Sequence, residues 1–431
     1  MEPGTIIILL LGLLGAFLIL GIPIGFAILL SSCIALVIQH LPLSMAALKM
    51  VAGADSFLLT AIPFFILAGV LMRMGGVTQR IINFCLILLG AVRGALGHVN
   101  ILASMIFGGI SGSSVADTAS IGSILIPEMI RKNYPRDVSA AITAASSTIG
   151  IIIPPSIPMI LYAMVTEVSI GKLFLAGAIP GVLVGLFMMV ITAIMSARKG
   201  YGKEREKRAS LREILTGLKD GILALTMPVV IIGGIVLGIV TATEAAALAV
   251  GYGFVLGFFV YRELKIADLK EAFLETAEST AVVMLIVVTA TLLGWILAYG
   301  QIPQKMTEML LSVSSDPIVV LLIINGILLV VGTFSDLAPN ILILTPIFFP
   351  VILELGIDPV HFGIIVVCNQ AIALVTPPVG NCLYICSNLA NVGIEKLVIS
   401  SLPYLLSNLI VLLVVTFVPS LVLFLPSLLM P

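Results

Sequence analysis

The sequence predicts an all-α polytopic membrane protein made of two halves of inverted topology. Each half holds one re-entrant helical hairpin and one helix broken by a proline pair. Three observations carry this reading. Of the 431 residues, 60% are hydrophobic and only 10% charged, against about 25% charged in soluble domains. The pairs Pro154-Pro155 and Pro377-Pro378 interrupt apolar helices 223 residues apart, about half the chain. Each pair follows a polar, small-residue interruption at a similar distance, Gly109–Ser114 in the first half and Gly332–Asp336 in the second. Backbone that breaks at membrane depth survives only where protein or a water-filled site satisfies its freed polar groups. Matched breaks in two halves therefore point to a transporter's binding site.

Taken in order, Pro3 to Leu48 holds no charged residue. One span needs about 20 apolar residues, so the run Thr5–Gln39 is too long for one helix and is expected to break at Gly21–Gly25. No short positive n-region with a cleavage site precedes it, so it is expected in the mature protein. Met45–Ser56 reads as an interfacial amphipathic helix, 57–73 as a span, and Arg80–Arg93 as a second amphipathic stretch. A hairpin follows over about 96–130, a broken helix over about 137–166 and a span over 173–197. The basic stretch 198–220 links the halves. The second half, 221–431, holds spans at 221–241 and 243–261 and an interfacial helix at Ile266–Thr280. Its hairpin lies over about 317–353 and its broken helix over about 359–390. Gly109 and Gly332, Pro127 and Pro350, and Pro180 and Pro403 all recur at the same separation of 223.

Charge orients the chain. The linker carries Arg198, Lys199, Lys203, Arg205, Lys207, Arg208, Arg212 and Lys219, which the positive-inside rule places in the cytoplasm. Counting spans outward from it leaves only Lys49, Lys172 and Lys305 of the 21 basic residues outside. The first hairpin then has a cytoplasmic base beside Arg131, Lys132 and Arg136. The second has an acidic external base at Ser314–Pro317 and Glu354–Asp358. Hairpins entering from opposite sides are what an inverted repeat requires.

The first tip, Ser111-Gly112-Ser113-Ser114-Val115-Ala116-Asp117, sets hydroxyls, bare backbone and a carboxylate in apolar surroundings. An ionisable group at such depth reads as functional, although Asp117 is also placed to cap the returning helix. The second tip, Gly332-Thr333-Phe334-Ser335-Asp336, repeats the recipe, with Asn340 close by. The breaks add Ser156, Thr376, Gly380 and Asn381, and each proline frees a carbonyl one turn earlier. Oxygen-rich tips with few acids suit Na⁺; proton coupling through an acid stays open. Glu244 sits where it favours a helix dipole and reads as structural. His40, His98 and His361 are isolated and expected at interfaces, as is Trp295. Cys33, Cys85, Cys368, Cys382 and Cys386 lie in apolar segments without ribbon spacing and read as small hydrophobes. No zinc-protease, Ser/His/Asp or Walker pattern is present, so neither an enzyme nor an ATP-burning chain is expected. A net charge of −1 with no basic face gives no reason to expect nucleic acid.

At these residues the chain resembles the large membrane subunit (DctM type) of tripartite ATP-independent periplasmic (TRAP) transporters, nearly end to end. The resemblance rests on 21–27 (GIPIGFA), 109–117 (GISGSSVAD), 153–158 (IPPSIP), 170–181 (IGKLFLAGAIPG), 243–247 (TEAAA), 338–346 (APNILILTP) and 376–380 (TPPVG). Ala242 departs from the proline of the family's Thr-Pro-Thr-Glu pattern, and Asn381-Cys382 lies in a stretch that varies. The resemblance implies an elevator-type Na⁺ symporter with a scaffold and a mobile transport domain in the bacterial inner membrane, surrounded by lipid. It further implies a small four-helix membrane partner and a periplasmic binding protein that delivers an organic acid. By motif, Ser111, Gly112, Ser113 and Ser114 with Pro154 and the rest of its break would hold one Na⁺. Gly332, Thr333 and Asp336 with Thr376, Pro378 and Gly380 would hold another. Substrate would lie near Ser111, Ser156 and Asp336. A stand-alone Na⁺/dicarboxylate symporter of related inverted-repeat build, which needs no binding protein, is the main alternative. An ABC permease, which needs an ATPase, is a further one.

The charge map yields a direct test. Single cysteines at Ser315 and Lys203 should differ in labelling by an impermeant thiol reagent on intact cells, with Ser315 labelled and Lys203 protected. Equal labelling, or the reverse, excludes the inverted-hairpin topology.

Overall fold

The computed structural model describes residues 3–430, with side chains from Leu9 onward except that of Leu11. Every regular element among them is helical, and eight helices are long and apolar enough to cross a membrane. The first apolar run is two helices, α1 (Pro3–Ile19) and α2 (Ile24–Ile38). Gly21 takes a left-handed φ of +79° between them, and Pro23 precedes the new start. Then come α3 (Ser44–Ala54), a 3₁₀ turn, α4 (Ala61–Met74) and α5 (Val77–Leu89). The first hairpin is α6 (Ala95–Ser111) and α7 (Ser114–Arg131), joined by two residues only. The first broken helix is α8 (Arg136–Ser147), a 3₁₀ turn at Thr148–Ile151, the proline pair, and α9 (Ile157–Thr166). The 30-residue α10 (Ile170–Lys199) closes this half.

The second half runs α11 (Leu211–Val236), α12 (Ala242–Val255), α13 (Ile266–Tyr299) and α14 (Ile302–Val313). Its hairpin is α15 (Pro317–Phe334) and α16 (Leu337–Glu354), and its broken helix is α17 (Pro359–Ala373) and α18 (Asn381–Ala390). The last helices are α19 (Ile394–Phe417) and α20 (Pro419–Leu429).

Two boundaries differ from the sequence reading. Helix α11 starts at Leu211 rather than near 221, because Ser210 and Glu213 form a capping box. The charged first turns therefore belong to the helix, and only 200–210 is non-helical. Ile266–Thr280 is not a separate interfacial helix but the start of the 34-residue α13. No Gly or Pro interrupts it before Gly294, and Ala272 and Thr276 bury one face while Glu275 pairs with Arg73.

The segments that the charge map puts in the cytoplasm meet at one end of the bundle. The amides of Glu204 and Arg205 donate to the Gly90 carbonyl at 2.8 and 2.9 Å, and Gly94 N donates to Gly202 O at 3.0 Å. Lys132 pairs with Glu204 at 2.9 Å, and Tyr134 stacks on Tyr201 at 4.5 Å. Arg80 pairs with Glu263 at 2.6 Å and lies 3.8 Å over the Tyr261 ring. At the other end Tyr162 Oη donates to Pro359 O at 2.7 Å, and Lys49 sits over Trp295.

Buried asparagines clasp each hairpin to the first limb of its own broken helix. In the first half Ser146 Oγ donates to Asn100 Oδ1 at 2.9 Å, and Asn100 Nδ2 donates to Thr143 at 2.7 Å. In the second, Asn369 Nδ2 donates to Asn325 Oδ1 at 3.1 Å, and Asn325 Nδ2 donates to Thr416 at 3.0 Å. A buried polar group left without its partner costs about 1–3 kcal/mol. Asn325→Ala should therefore lower the thermal unfolding midpoint in detergent. Asn369→Ala added to it should cost less than Asn369→Ala alone, as expected for coupled partners. Strict additivity would show that the two do not act as a clasp.

Candidate functional site

Each hairpin tip is shaped by local chemistry. Helix α6 ends at Gly112, whose φ of +62° is left-handed. Ser113 then caps α7, its hydroxyl accepting from Ala116 N at 3.4 Å. Asp117 is therefore not the cap. It is fully buried, accepts from the Ser111 hydroxyl, and turns its unpartnered Oδ2 toward Gly150. A Cβ on Gly150 would stand 2.0 Å from that oxygen. At the second tip Asp336 is itself the cap of α16, accepting from Leu337 N at 2.8 Å and Asn381 Nδ2 at 3.1 Å. At the repeat spacing Asp336 thus matches Ser113, and Asp117 matches Asn340, which donates to Gln370 Oε1 at 3.0 Å. The two tip acids are not equivalents of each other.

Both proline pairs are cis, and each break is sewn to a tip. Ile157 N donates to Gly112 O at 3.3 Å, and Val379 N donates to Thr333 O at 3.1 Å. Some of the freed carbonyls are taken up internally. Ser156 Oγ donates to Ile151 O at 2.6 Å while capping α9, and Cys382 N donates to Leu374 O at 3.2 Å. The Pro155 carbonyl lies 2.7 Å from where a Cβ on Gly112 would stand.

Tips and breaks line one half-open cavity of about 160 Å³. Gly112, Ser113, Ser114 and Asp336 are in its wall. Ser111, Ser156, Pro154, Gly332, Thr333, Thr376, Pro378 and Gly380 are not among the residues that line it. Of the residues expected at substrate, Asp336 alone reaches the wall; Ser111 faces Asp117 and Ser156 faces its own backbone. Asn381 joins the wall from the second break, while Leu161 and Val283 do so from positions that no polar pattern marks.

The starts of four helices converge here: Ser114 and Val115 open α7, Ile157 and Pro158 open α9, Leu337 and Ala338 open α16, and Asn381 opens α18. A helix N-terminus carries about +0.5 of a charge, although the amides of Ile157 and Leu337 are already bonded, to Gly112 O and Asp336 Oδ1. No Lys, Arg or His is among the lining residues, so the positive field comes from main chain. Ser114 Oγ is buried without a partner and shows essentially no surface to the cavity. Helix starts of this kind favour negative charge, while Asp336 and the tip carbonyls are oxygen groups of the kind that cations take.

Residues outside the cavity settle into structural roles. Glu244 completes a capping box with Thr241 at the start of α12, its carboxylate accepting from Thr241 N at 2.7 Å. His98 and His361 are buried rather than interfacial; the His361 ring bonds Val415 O at 2.7 Å, which satisfies it inside. Trp295 stacks on Tyr299. All five cysteines are free thiols, four of them buried.

Comparison with known proteins matches residues 11–421 to the DctM component of the tripartite ATP-independent periplasmic transporters. The sialic acid TRAP transporter large permease SiaM of Vibrio cholerae is 42% identical over 97% of each chain. The C4-dicarboxylate TRAP transporter large permease DctM of Pseudomonas aeruginosa is 41% identical over 88% of this chain and 89% of its own. Among solved structures, the YdaH transporter of Alcanivorax borkumensis superposes with a TM-score of 0.63 over 87% of each chain at 16% identity, a likeness of fold.

The tip-to-break packing makes a prediction. Gly112→Ala places a side chain in a left-handed conformation, costing about 1–2 kcal/mol, and sets its Cβ against Pro155 O. Its unfolding midpoint should fall clearly below that of Gly202→Ala, where nothing lies within 4 Å. Equal midpoints would mean that the tip does not pack on the break.

Proposed function

The chain belongs to the DctM family of TRAP transporters, multi-pass membrane permeases rather than enzymes, and from that premise we propose how it works. It is the large subunit of a Na⁺-coupled, binding-protein-dependent importer of organic acids in the bacterial inner membrane. The observation that carries this reading is the single cavity on which both hairpin tips and both breaks converge, walled by four helix N-termini and one carboxylate. Helix starts attract the anionic group of an organic acid. The carbonyl-rich tips, with Asp336, suit Na⁺, a hard cation that takes oxygen ligands. The relatives named for sialic acid and C4-dicarboxylates are permeases for acids, which agrees with an anion in this cavity.

The hairpins are re-entrant in this reading, entering from opposite faces, and they move with the broken helices as the transport domain. Helices such as α3 and α13 belong to the scaffold. A gap of about 340 Å³ between Gly53 and Thr291 on one side and Met164 and Pro346 on the other supports a sliding seam there. The partners in this reading are a small membrane subunit and a periplasmic binding protein, in keeping with the family's tripartite description. That description disfavours the stand-alone symporter.

Na⁺ entry drives uptake, since a monovalent cation gains about 2.3 kcal/mol per 100 mV on moving inward. Reconstituted with its small subunit, the protein should accumulate an organic acid only with an inward Na⁺ gradient and the matching binding protein. Asp336→Asn should raise the Na⁺ concentration needed for half-maximal uptake, and Arg262→Gln should not. Robust uptake without the binding protein would move the assignment to the stand-alone carrier. An unchanged Na⁺ titration in Asp336→Asn would remove that residue from the ion site.

A further inference from the structure

We infer that the acid this cavity accepts is a short monocarboxylate with an apolar body, rather than a dicarboxylate or a polyhydroxylated sugar acid. The inference rests on the transport reading above and refines its substrate. Size comes first. The space is about 160 Å³. It falls below the roughly 300 Å³ at which pockets for drug-sized ligands begin. A sugar acid brings several hydroxyls, and a wall with four polar side chains has few partners for them.

The chemistry of the wall is uneven. Polar side chains come from Ser113, Ser114, Asp336 and Asn381 only, all at helix starts. The rest of the surface is carried by side chains such as Ile151, Ile157, Leu161, Val283 and Leu374. One carboxylate finds the positive ends of the four helices that start in the wall. A second carboxylate on the same ligand meets hydrocarbon, with no basic side chain in the wall to receive it. Burying an unpaired charge costs far more than an apolar wall returns. An alkyl body on the ligand covers that same hydrocarbon and gains from the contact.

The test uses the permease with its small membrane subunit in lipid nanodiscs with Na⁺, without the binding protein, so that only this site selects. The reading is the shift in thermal unfolding midpoint with 4-methyl-2-oxopentanoate, succinate or N-acetylneuraminate. The branched oxo acid should stabilise at concentrations at least about tenfold below those the other two need, the scale on which pockets discriminate. Succinate or N-acetylneuraminate stabilising at equal or lower concentrations overturns the inference and leaves organic-acid transport standing. No stabilisation by any of the three, with Na⁺ alone still stabilising, overturns both. Val283→Thr, nearly isosteric and half-buried, should weaken the oxo acid's effect several-fold while the Na⁺ effect persists. An unchanged oxo-acid effect in that variant also counts against the apolar seat.

Discussion

A main-chain N–H or carbonyl that loses its helical partner inside a membrane must find another inside the protein, and the centre of this molecule is organised by that demand. Two hairpins turn in two residues each, and two helices stop at proline pairs. All four interruptions are placed so that they answer one another. Gly112 gives its carbonyl to Ile157, and Thr333 gives its carbonyl to Val379. Glycine at 112 is dictated twice, by a left-handed φ and by the Pro155 carbonyl pressed against it. Once the interruptions are paired, the four helices that restart from them point their N-termini at the same small space. The cavity follows from satisfying the backbone.

Duplication supplies the frame, and divergence within it supplies the chemistry. Ser113 and Asp336 hold the same capping position, so the first returning helix opens with a neutral hydroxyl and the second with a carboxylate. Asp117 and Asn340 hold the next matched pair, one facing Gly150 and the other bonded to Gln370. Each half keeps an asparagine clasp between hairpin and broken helix, built with different partners. The two tips are alike in shape and unlike in charge, as two sites facing different ligands would be.

Most of the architecture was legible because membrane depth makes composition speak loudly. The long first apolar run, the two hairpins and the two proline breaks could all be read from Gly, Pro and charge. Less legible were features that depend on hydrogen bonds or on the third dimension. Charged residues around Glu213 looked like linker, yet a capping box pulls them into α11. The polar start of α13 looked like a surface helix because its apolar face is narrow, though no helix breaker ends it. Ser111 and Ser156 were the right residue type beside the right motif, but their hydroxyls are spent on Asp117 and Ile151. Val283 and Leu161 carry no polar signal, and only the packing brings them to the cavity.

The positive wall of the cavity is made of peptide groups rather than side chains, which bears on how the protein responds to acidity. Peptide N–H groups do not gain or lose protons near neutrality, whereas a histidine in their place would. A fall in pH therefore cannot strengthen the attraction by charging the wall. It can act only through carboxyl groups, the ligand's own or the protein's. Nor can a single side-chain replacement abolish that attraction, since no one residue supplies it. Any attraction this cavity has for negative charge therefore lies in the backbone, and its hydrocarbon residues can change without touching it.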